Sequence, residues 1–424
     1  MVTYLGLAPA IAGVVLMVGV VAAVRKASVA LGVVTGLAML VPFIVVPVRI
    51  GVQPPVIVVL LAVMACASVV AIAKGRRVAW RDPVLCGQGA LAVLITMASI
   101  LVFPVRQDAE GLQTGLKLAL AVTVPLMVVI WIPPTVLRRY GPTIVITSVA
   151  VQAAVAVFLY FAGTVGVVML SSLAPAGYPD VDIHRFLPDG TTVRATGLLV
   201  DPNVLGATLA MALPFVMVGS TASRRVLTVR LAVGALLVLA LLFSHSRGAW
   251  IAAVVAVFGV VVIARPYAAA ALALGVGVVV VVLWPEGPVQ VMHNMVGDRA
   301  QSDALRVGEI QEAIRVIHRY PWFGVGYGDS PDVDVFVGVS NTWLWIAERA
   351  GLAAAFCALV AVVGAVVRAV RMARQDDFVR MCAAALGALL VVSMVDHHLA
   401  SFPHMVALVG MLLGATVVAT SRLG

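Results

Sequence analysis

The stretch Pro54–Ala73, PPVIVVLLAVMACASVVAIA, is the clearest indication of the fold class of this chain. It carries no charge and matches the roughly 20 apolar residues that an α-helix needs to cross a bilayer. Similar stretches predict roughly twelve or thirteen spans, near 3–24, 28–48, 54–73, 84–105, 118–137, 142–170, 203–220, 226–243, 249–264, 268–284, 341–367, 381–397 and 403–420. Of 424 residues, 62% are hydrophobic and 11% are charged, a balance that soluble domains do not have. The sequence therefore predicts an all-α polytopic membrane protein with one transmembrane domain, 1–424.

Basic residues collect in alternate connections between the predicted spans. They lie at Arg25-Lys26, Lys74–Arg81, Arg138-Arg139, Arg224–Arg230, Arg265, Arg368–Arg380 and Arg422. Because cytoplasmic loops are enriched in lysine and arginine, this pattern places those connections inside. With thirteen spans, the N-terminus is outside and the C-terminus inside, and two longer polar segments, 171–200 and 285–340, face outward. The pattern also accounts for the net charge of +9 without a nucleic-acid partner.

The sequence argues against several other function classes. The first span, 3–24, has no basic leader and is followed by further spans, so we expect it to be a span and not a cleavable signal. The cysteines lie within apolar spans and lack the spacing of metal ligands. A Gly-rich loop of the P-loop type is missing from the sequence, which argues against ATP hydrolysis. We expect neither a cofactor nor a metal.

The first outer segment brings an arginine close to the start of a span. Arg194 precedes Gly197, and a glycine allows close approach of the backbone. Asp201-Pro202-Asn203 then has the form of a helix start, with aspartate as N-cap and proline at the first helical position. Capping is the simplest interpretation of Asp201. A helix N-terminus beside an arginine would also suit an anion, and Asn203 would lie at the same mouth.

The second outer segment, 285–340, holds a predicted amphipathic helix over 303–320. Advancing 100° per residue places Val307, Ile310, Ala313, Ile314, Ile317 and Tyr320 on one apolar arc, which we expect to lie against the membrane domain. Arg306 falls in the middle of that arc. A buried arginine requires an anionic partner, which is either a carboxylate in another span or a phosphate that matches the guanidinium fork.

Two further polar clusters lie near the predicted outer face. Arg247, in Ser244–Gly248, runs against the positive-inside pattern and is a third candidate for an anion site, although snorkelling to lipid headgroups explains it equally well. Asp396-His397-His398 lies near the end of a late span, where ionisable residues are functional candidates. These three residues could relay protons, ligate a metal or face solvent, and the metal is the weakest of the three interpretations.

Five fragments, in this order, resemble the O-antigen ligase and polymerase superfamily. They are Arg194-x-x-Gly197, Asp201-Pro202-Asn203, Ser246-Arg247-Gly248, the stretch from Arg306 through PWFGVGYG at 321–328, and Asn341 with Glu348-x-x-Gly351. The resemblance covers roughly residues 190–360. It implies a bacterial cytoplasmic-membrane glycosyltransferase, metal-independent and inverting, that takes a glycan from an undecaprenyl-pyrophosphate carrier on the outer face. The acceptor is a lipid, another glycan or a protein, and the two family arginines correspond to Arg194 and Arg306.

The chain departs from the family at one position that matters for chemistry. The histidine that the family commonly places before the asparagine, and that is taken as the catalytic base, is Ser340 here, before Asn341. A serine is not a general base near neutral pH. A loop carboxylate is slightly favoured in its place. The open alternatives are another histidine, an acceptor that needs little activation, or a protein that binds carriers without transfer.

The predicted site combines these residues. Its catalytic members are Arg194, Arg306, Asp332 and Asp334, and its substrate-binding members are Arg247, Asn203, Asp201, Ser340 and Asn341. The expected partners are the carrier-linked donor, a lipid or glycan acceptor and membrane lipids, without nucleic acid. A ligase is slightly favoured over a polymerase. A lipid-linked glycan transporter or flippase is the competing class, but it would need polar groups near the midplane of several spans.

Overall fold

The computed structural model describes residues 27–45, 54–106, 108–178, 193–218, 223–264, 299–328 and 339–421. These residues form α-helices at Ala27–Leu40, Val56–Ala73, Pro83–Arg106, Ala109–Val122, Val124–Trp131, Pro134–Ala162, Thr164–Ser171, Pro202–Met217, Arg224–Phe243, Arg247–Ala264, Arg299–Arg319, Thr342–Ala350, Leu352–Met372, Asp377–Val395, His398–Ser401 and Pro403–Thr420. Short 3₁₀ turns occupy Ala174–Ala176 and Gly197–Leu199. Within these ranges an isolated β-bridge joins Val45 and Pro55, and no residue is in a β-strand. The predicted all-α class is confirmed.

Eight described helices are long and apolar enough to cross a membrane. They are Val56–Ala73, Pro83–Val102, Ala109–Trp131, Pro134–Ala162, Arg224–Phe243, Leu352–Met372, Asp377–Val395 and Pro403–Thr420. Three shorter helices, Ala27–Leu40, Pro202–Met217 and Arg247–Ala264, fall at three further predicted positions. The predicted spans 3–24 and 268–284 lie outside the described residues. The protein is therefore a multi-pass membrane protein.

Several predicted spans were wrong in their extent: the span predicted at 118–137 is observed at Ala109–Trp131, and glycine explains two others. The span predicted at 142–170 begins earlier, at Pro134, and ends at Ala162 because Gly163 takes φ +56°. The span predicted at 341–367 is two helices that meet at Gly351, whose φ of 91° and ψ of 166° break the helical path. Only glycine readily adopts either conformation.

The helix Pro202–Met217 lies inside the bundle. Nearly all of its side chains are buried, from Val204 to Val216, as expected of a helix that is apolar on every side. The helices Arg247–Ala264 and Asp377–Val395 pack closely against each other and against this helix. Their contact faces carry buried alanines such as Ala256 and Ala385, which let helix backbones approach within a membrane. The helix Pro202–Met217 is thereby held in place by its neighbours.

Arginines at one end of the bundle tie the helices together. Arg138 bonds to Asp376 at 2.9 Å and donates to the carbonyl of Ala419 at 2.8 Å. Arg230 donates to the carbonyl of Val218 at 2.8 Å, and Arg368 pairs with Asp82. These are the segments in which the sequence concentrates its basic residues.

The loop helix was predicted at 303–320 and is observed at Arg299–Arg319, but its buried face differs from the prediction. Ala313, Val316 and Ile317 are buried, whereas Val307, Ile310 and Ile314 are exposed. Among the described residues the helix packs chiefly against Thr342–Ala350, which covers only its C-terminal half. Periodicity identifies an apolar stripe but does not say how much of it a neighbour covers, so the expected burial of Val307, Ile310 and Ile314 was wrong.

Candidate functional site

Four segments meet at the end of the bundle opposite the arginine contacts. They are 194–203, 244–248, 340–342 and 396–398. The Nε of Arg194 donates to the carbonyl of Ser244 at 2.8 Å, which joins the first two segments. The hydroxyl of Thr342 donates to the carbonyl of Asp396 at 2.6 Å, which joins the other two. We refer to these segments together as the polar end.

Arg194 is held in place by two hydrogen bonds. Its Nε donates to the carbonyl of Ser244 at 2.8 Å, and its Nη2 donates to Oδ1 of Asn203 at 3.2 Å. The guanidinium is therefore fixed beside the first turn of Pro202–Met217. Its charge also reaches His245, whose pKa is lowered by burial and then by Arg194. The structure thus unites Arg194 and Asn203, which the sequence had assigned to one mouth.

Asp201 caps the helix Pro202–Met217, as its simplest interpretation predicted. Its Oδ1 accepts from the backbone N–H groups of Asn203 at 2.7 Å and Val204 at 3.2 Å. The carboxylate is only 4% exposed. Its other oxygen, Oδ2, lies 4.0 Å from Nε2 of His398. Asp201 therefore shapes the polar end as well as capping the helix.

Gly197 makes the close backbone approach that its position suggested. It takes φ +56°, and a Cβ there would lie 2.9 Å from the side-chain amide of Gln152. Gln152 is fully buried in Pro134–Ala162. With its amide oxygen facing the loop, it accepts from the N–H groups of Leu198 and Leu199 at 3.0 Å each. A buried side chain therefore fixes the turn between Arg194 and Asp201.

Two residues other than glycine hold left-handed backbone conformations, and both lie at the polar end. Among the described residues these are Val200, with φ 67°, and His245, with φ 49°. Such a conformation is a clear outlier for a β-branched valine and costs of order 1–3 kcal/mol. Val200 directly precedes Asp201, and His245 directly follows Ser244, which accepts from Arg194. Strained backbone at Val200 and His245 therefore lies in both of the segments that hold Arg194.

The side chain of Asn341 is committed to the protein. Its Oδ1 caps Thr342–Ala350 by accepting from Trp343 and Leu344 N–H groups at 3.0 Å each. Its Nδ2 donates to the carbonyl of Met394 at 3.1 Å. The backbone N–H of Ser340 donates to the carboxylate of Glu309 at 3.1 Å, which ties the loop helix to this point. Both residues therefore position the segment that follows the large loop.

Asp396, His397 and His398 form a compact cluster beside that segment. Nδ1 of His398 contacts Oδ1 of Asp396, and the same oxygen accepts from the backbone N–H of His398 at 2.9 Å. Burial raises the pKa of Asp396, but the hydrogen bonds and charge of His398 outweigh it, so the pKa is lowered. Burial, followed by the charge of His398, lowers the pKa of His397 to about 4. Ligand atoms of the three residues lie within 4.8 Å of one another, but Asp396 is already engaged by His398.

The glycine-rich stretch 321–328 packs directly on the break at Gly351. The N–H of Val325 donates to the carbonyl of Glu348 at 2.9 Å, and the N–H of Leu352 donates to the carbonyl of Pro321 at 2.9 Å. Gly324, with φ +63°, would place a Cβ 2.7 Å from the N–H of Ala350. The two glycine-containing fragments of the sequence are therefore the two sides of one backbone contact.

The remaining predicted residues are less closely placed. Arg247 begins the helix Arg247–Ala264, is exposed, and makes no hydrogen bond or ion pair with other described residues. Its neighbour Gly248 would place a Cβ 2.5 Å from Val395, one residue before Asp396. Arg306 lies in the helix Arg299–Arg319, but its side chain is outside the described residues. Asp332 and Asp334 lie outside the described residues altogether.

A family model described as O-antigen ligase matches residues 232–359 of the chain. This match covers less than a third of the chain and supports its membership of the O-antigen ligase superfamily. No curated protein matches it. The matched region contains Ser244–Gly248, the large loop and the break at Gly351. The segments of the polar end that carry Arg194 and His398 lie outside it.

The structure brings several of the predicted site residues together, and it adds one relationship that the sequence did not show. Asp201 and His398 are far apart in the chain, and no spacing or periodicity connects them. The only signal was that Asp396-His397-His398 interrupts an apolar sequence. The chain's fold supplies the proximity, because Pro202–Met217 lies inside the bundle beside Asp377–Val395.

Proposed function

We propose that this protein transfers a glycan from an undecaprenyl-pyrophosphate carrier to an acceptor on the outer face of the cytoplasmic membrane. Membership of the O-antigen ligase superfamily supports the reaction class. The arginine contacts at one end of the bundle support the orientation, because basic residues favour the cytoplasmic side. The polar end would then face outward, where carrier-linked glycans are used.

The position of Arg194 is the observation that carries the proposal. It is held at the N-terminus of a buried helix and next to Asn203. A helix N-terminus attracts anions, and a guanidinium presents a planar fork that matches phosphate oxygens. The pyrophosphate gains charge when it leaves the sugar, so a fixed arginine stabilises the transition state electrostatically. Arg247, exposed on the same end, and Arg306 would assist.

The acceptor decides between the two activities of the superfamily. A ligase and a polymerase share the same donor and differ in what receives the glycan. We favour the ligase, with a lipid acceptor, because the polar features concentrate beside one large loop. The polar groups described here lie at the end of the bundle and not at its middle, which argues against alternating access by a transporter.

The first test is donor binding by the purified full-length protein, measured by native mass spectrometry with an undecaprenyl-pyrophosphate-linked oligosaccharide. Hydrogen bonds to charged groups contribute about 1.5–3 kcal/mol, so Arg194→Ala should weaken binding roughly 10- to 100-fold. Arg194→Lys keeps the charge but loses the guanidinium fork, so its affinity for donor should lie between those of wild type and Arg194→Ala. Arg225→Ala removes an exposed arginine from the opposite end and is the matched control.

The second test follows the glycan itself. Labelled donor is incubated with a lipid acceptor fraction, and the product is separated by size and by lipid anchor. Label on the acceptor supports a ligase, and lengthened carrier-linked glycan indicates a polymerase. The proposal would be refuted if Arg194→Ala bound donor as tightly as wild type and if the protein moved donor across a vesicle membrane without transferring glycan.

A further inference from the structure

Ser340 leaves this superfamily member without a base at the family position, and the structure shows what lies beside it. Asn341 is tied to the carbonyl of Met394, and Thr342 to the carbonyl of Asp396. The segment that would have carried the family histidine therefore packs directly on the segment that carries His397 and His398. An imidazole is present at this end of the bundle, on a different helix connection.

His398 has the surroundings of a base. Its Nδ1 contacts the carboxylate of Asp396, which fixes the ring and favours the tautomer with its proton on Nδ1. Its ring also stacks on Phe402, with centroids 5.1 Å apart and planes inclined by 5°. Nε2 is thereby directed toward Asp201, whose Oδ2 lies 4.0 Å away. A carboxylate that orients the far nitrogen of a histidine is the arrangement that activates hydroxyl nucleophiles in many enzymes.

The location of Nε2 relative to the donor site completes the geometry. Asp201 accepts from the N–H of Asn203, and Asn203 accepts from Arg194. Only two residues therefore separate Nε2 of His398 from the guanidinium proposed to hold the pyrophosphate. A base and an anion clamp in the same small region are what a transfer between a hydroxyl and a pyrophosphate-linked sugar needs.

The other histidines of the polar end are less suited to this role. Burial and the charge of His398 lower the pKa of His397 to about 4, which makes it a weak base at neutral pH because an efficient base has a pKa near the working pH. Its ring stacks on Trp345, with centroids 6.4 Å apart. Burial and Arg194 likewise lower the pKa of His245.

We propose that His398, oriented by Asp396, is the general base that activates the acceptor hydroxyl in place of the missing family histidine. This rests on the proposed glycosyl transfer. The acceptor O–H gives its proton to Nε2 while its oxygen bonds to the anomeric carbon. The bond from that carbon to the pyrophosphate oxygen breaks, and the electron pair leaves with the carrier pyrophosphate. His398 is then the catalytic residue, Asp396 is a positioning residue, and the proton passes to solvent afterwards.

The test compares transfer with donor binding in the same full-length variants. His398→Gln should lower the transfer rate by at least 100-fold while donor binding stays within a factor of three of wild type, which shows that the variant is folded. His318→Gln removes an exposed histidine from the loop helix and is the matched control, with transfer unchanged. In His398→Ala, added imidazole should restore part of the transfer.

The pH profile of transfer by Asp396→Asn shows whether Asp396 orients His398 or only supports the fold. The groups facing His398 include Asp396 and His397 on its own segment, Asp201 at the start of Pro202–Met217 and His404 in Pro403–Thr420. Removing the carboxylate charge destabilises the imidazolium, so the acid limb of the profile should move to lower pH and the plateau should fall. An unchanged profile would overturn the positioning role.

The outcomes distinguish this inference from the proposed function. If wild type binds and transfers the donor and His398→Gln does so equally well, the base assignment is wrong and the glycosyltransferase stands. If wild type neither binds nor transfers, the proposed function fails first. If His397→Gln, not His398→Gln, abolishes transfer, the base is the neighbouring ring. Transfer that a chelator abolishes and zinc restores would show that the cluster holds a metal, which also overturns the proposal.

Discussion

Gly351 offers a sharp test of how the glycine-rich stretch 321–328 is fixed. Its φ of 91° and ψ of 166° lie in a region that is essentially confined to glycine. A Cβ at this position would overlap the backbone carbonyl of Trp322 and lie 2.9 Å from the N–H of Phe323. Both contacts are with backbone atoms, so no side-chain rotation relieves them.

The expected cost of Gly351→Ala has two parts. The strained backbone conformation costs about 1–3 kcal/mol, and overpacking against the neighbouring backbone adds about 1–3 kcal/mol. Gly75→Ala is the matched control, because Gly75 takes φ +92° but has no atom within 4 Å of the added Cβ. The control pays for the backbone conformation alone. The two variants should therefore differ by roughly 2 kcal/mol, the part due to the overlap.

Thermal unfolding in detergent, followed by tryptophan fluorescence, measures this difference. Because the entropy of unfolding grows with chain length, 1 kcal/mol corresponds to roughly 1 °C for a chain of 424 residues. The apparent midpoint of Gly351→Ala should therefore fall roughly 2 °C below that of Gly75→Ala. Donor binding should fall as well, since the contact at Gly351 positions the segment between the large loop and the polar end. Equal midpoints for the two variants would refute the reasoning, because they would show that stretch 321–328 does not press on Gly351.

Three other predictions follow from contacts elsewhere in the fold. Arg138→Gln removes a partly exposed ion pair with Asp376 and should lower the free energy of unfolding by about 1 kcal/mol. The melting midpoint in detergent should fall, and high salt should not lower the midpoint of this variant further. The pKa of His397 is lowered to about 4, so as pH falls the unfolded state binds a proton before the folded state does, and stability is lost from about pH 6.5 toward 4. In His397→Gln the melting midpoint should depend less on pH in that range. An unchanged dependence on pH would contradict the buried neutral ring. Gly197→Ala should strain a φ of +56° and bring the new Cβ too close to Gln152. Both the melting midpoint and the affinity for donor should therefore fall. Normal donor binding would show that this turn does not position the donor site.

Some of the candidate site was readable in the sequence because it depends on short-range chemistry. Asp201-Pro202 predicts a capped helix start, and the cap is present. Gly197 suggests a close backbone approach, and its position against Gln152 shows one. Capping and glycine conformations involve residues a few positions apart, so the local sequence contains all of the necessary information.

The amino-acid sequence was sufficient to predict the fold class, because long charge-free stretches in a bilayer can satisfy their backbone groups only as helices. The sequence also predicted a loop helix at 303–320, which the structure places at Arg299–Arg319. The packing of the helices was needed to show which side chains of that helix are buried, where Gly351 divides a span, and that His398 lies beside Asp201. Sequence could not show these features because lipid-facing and core-facing positions are equally apolar in a membrane protein. Hydrophobic pattern therefore fixes each span but not its neighbours, and the polar end is assembled by helix packing between segments far apart in the chain.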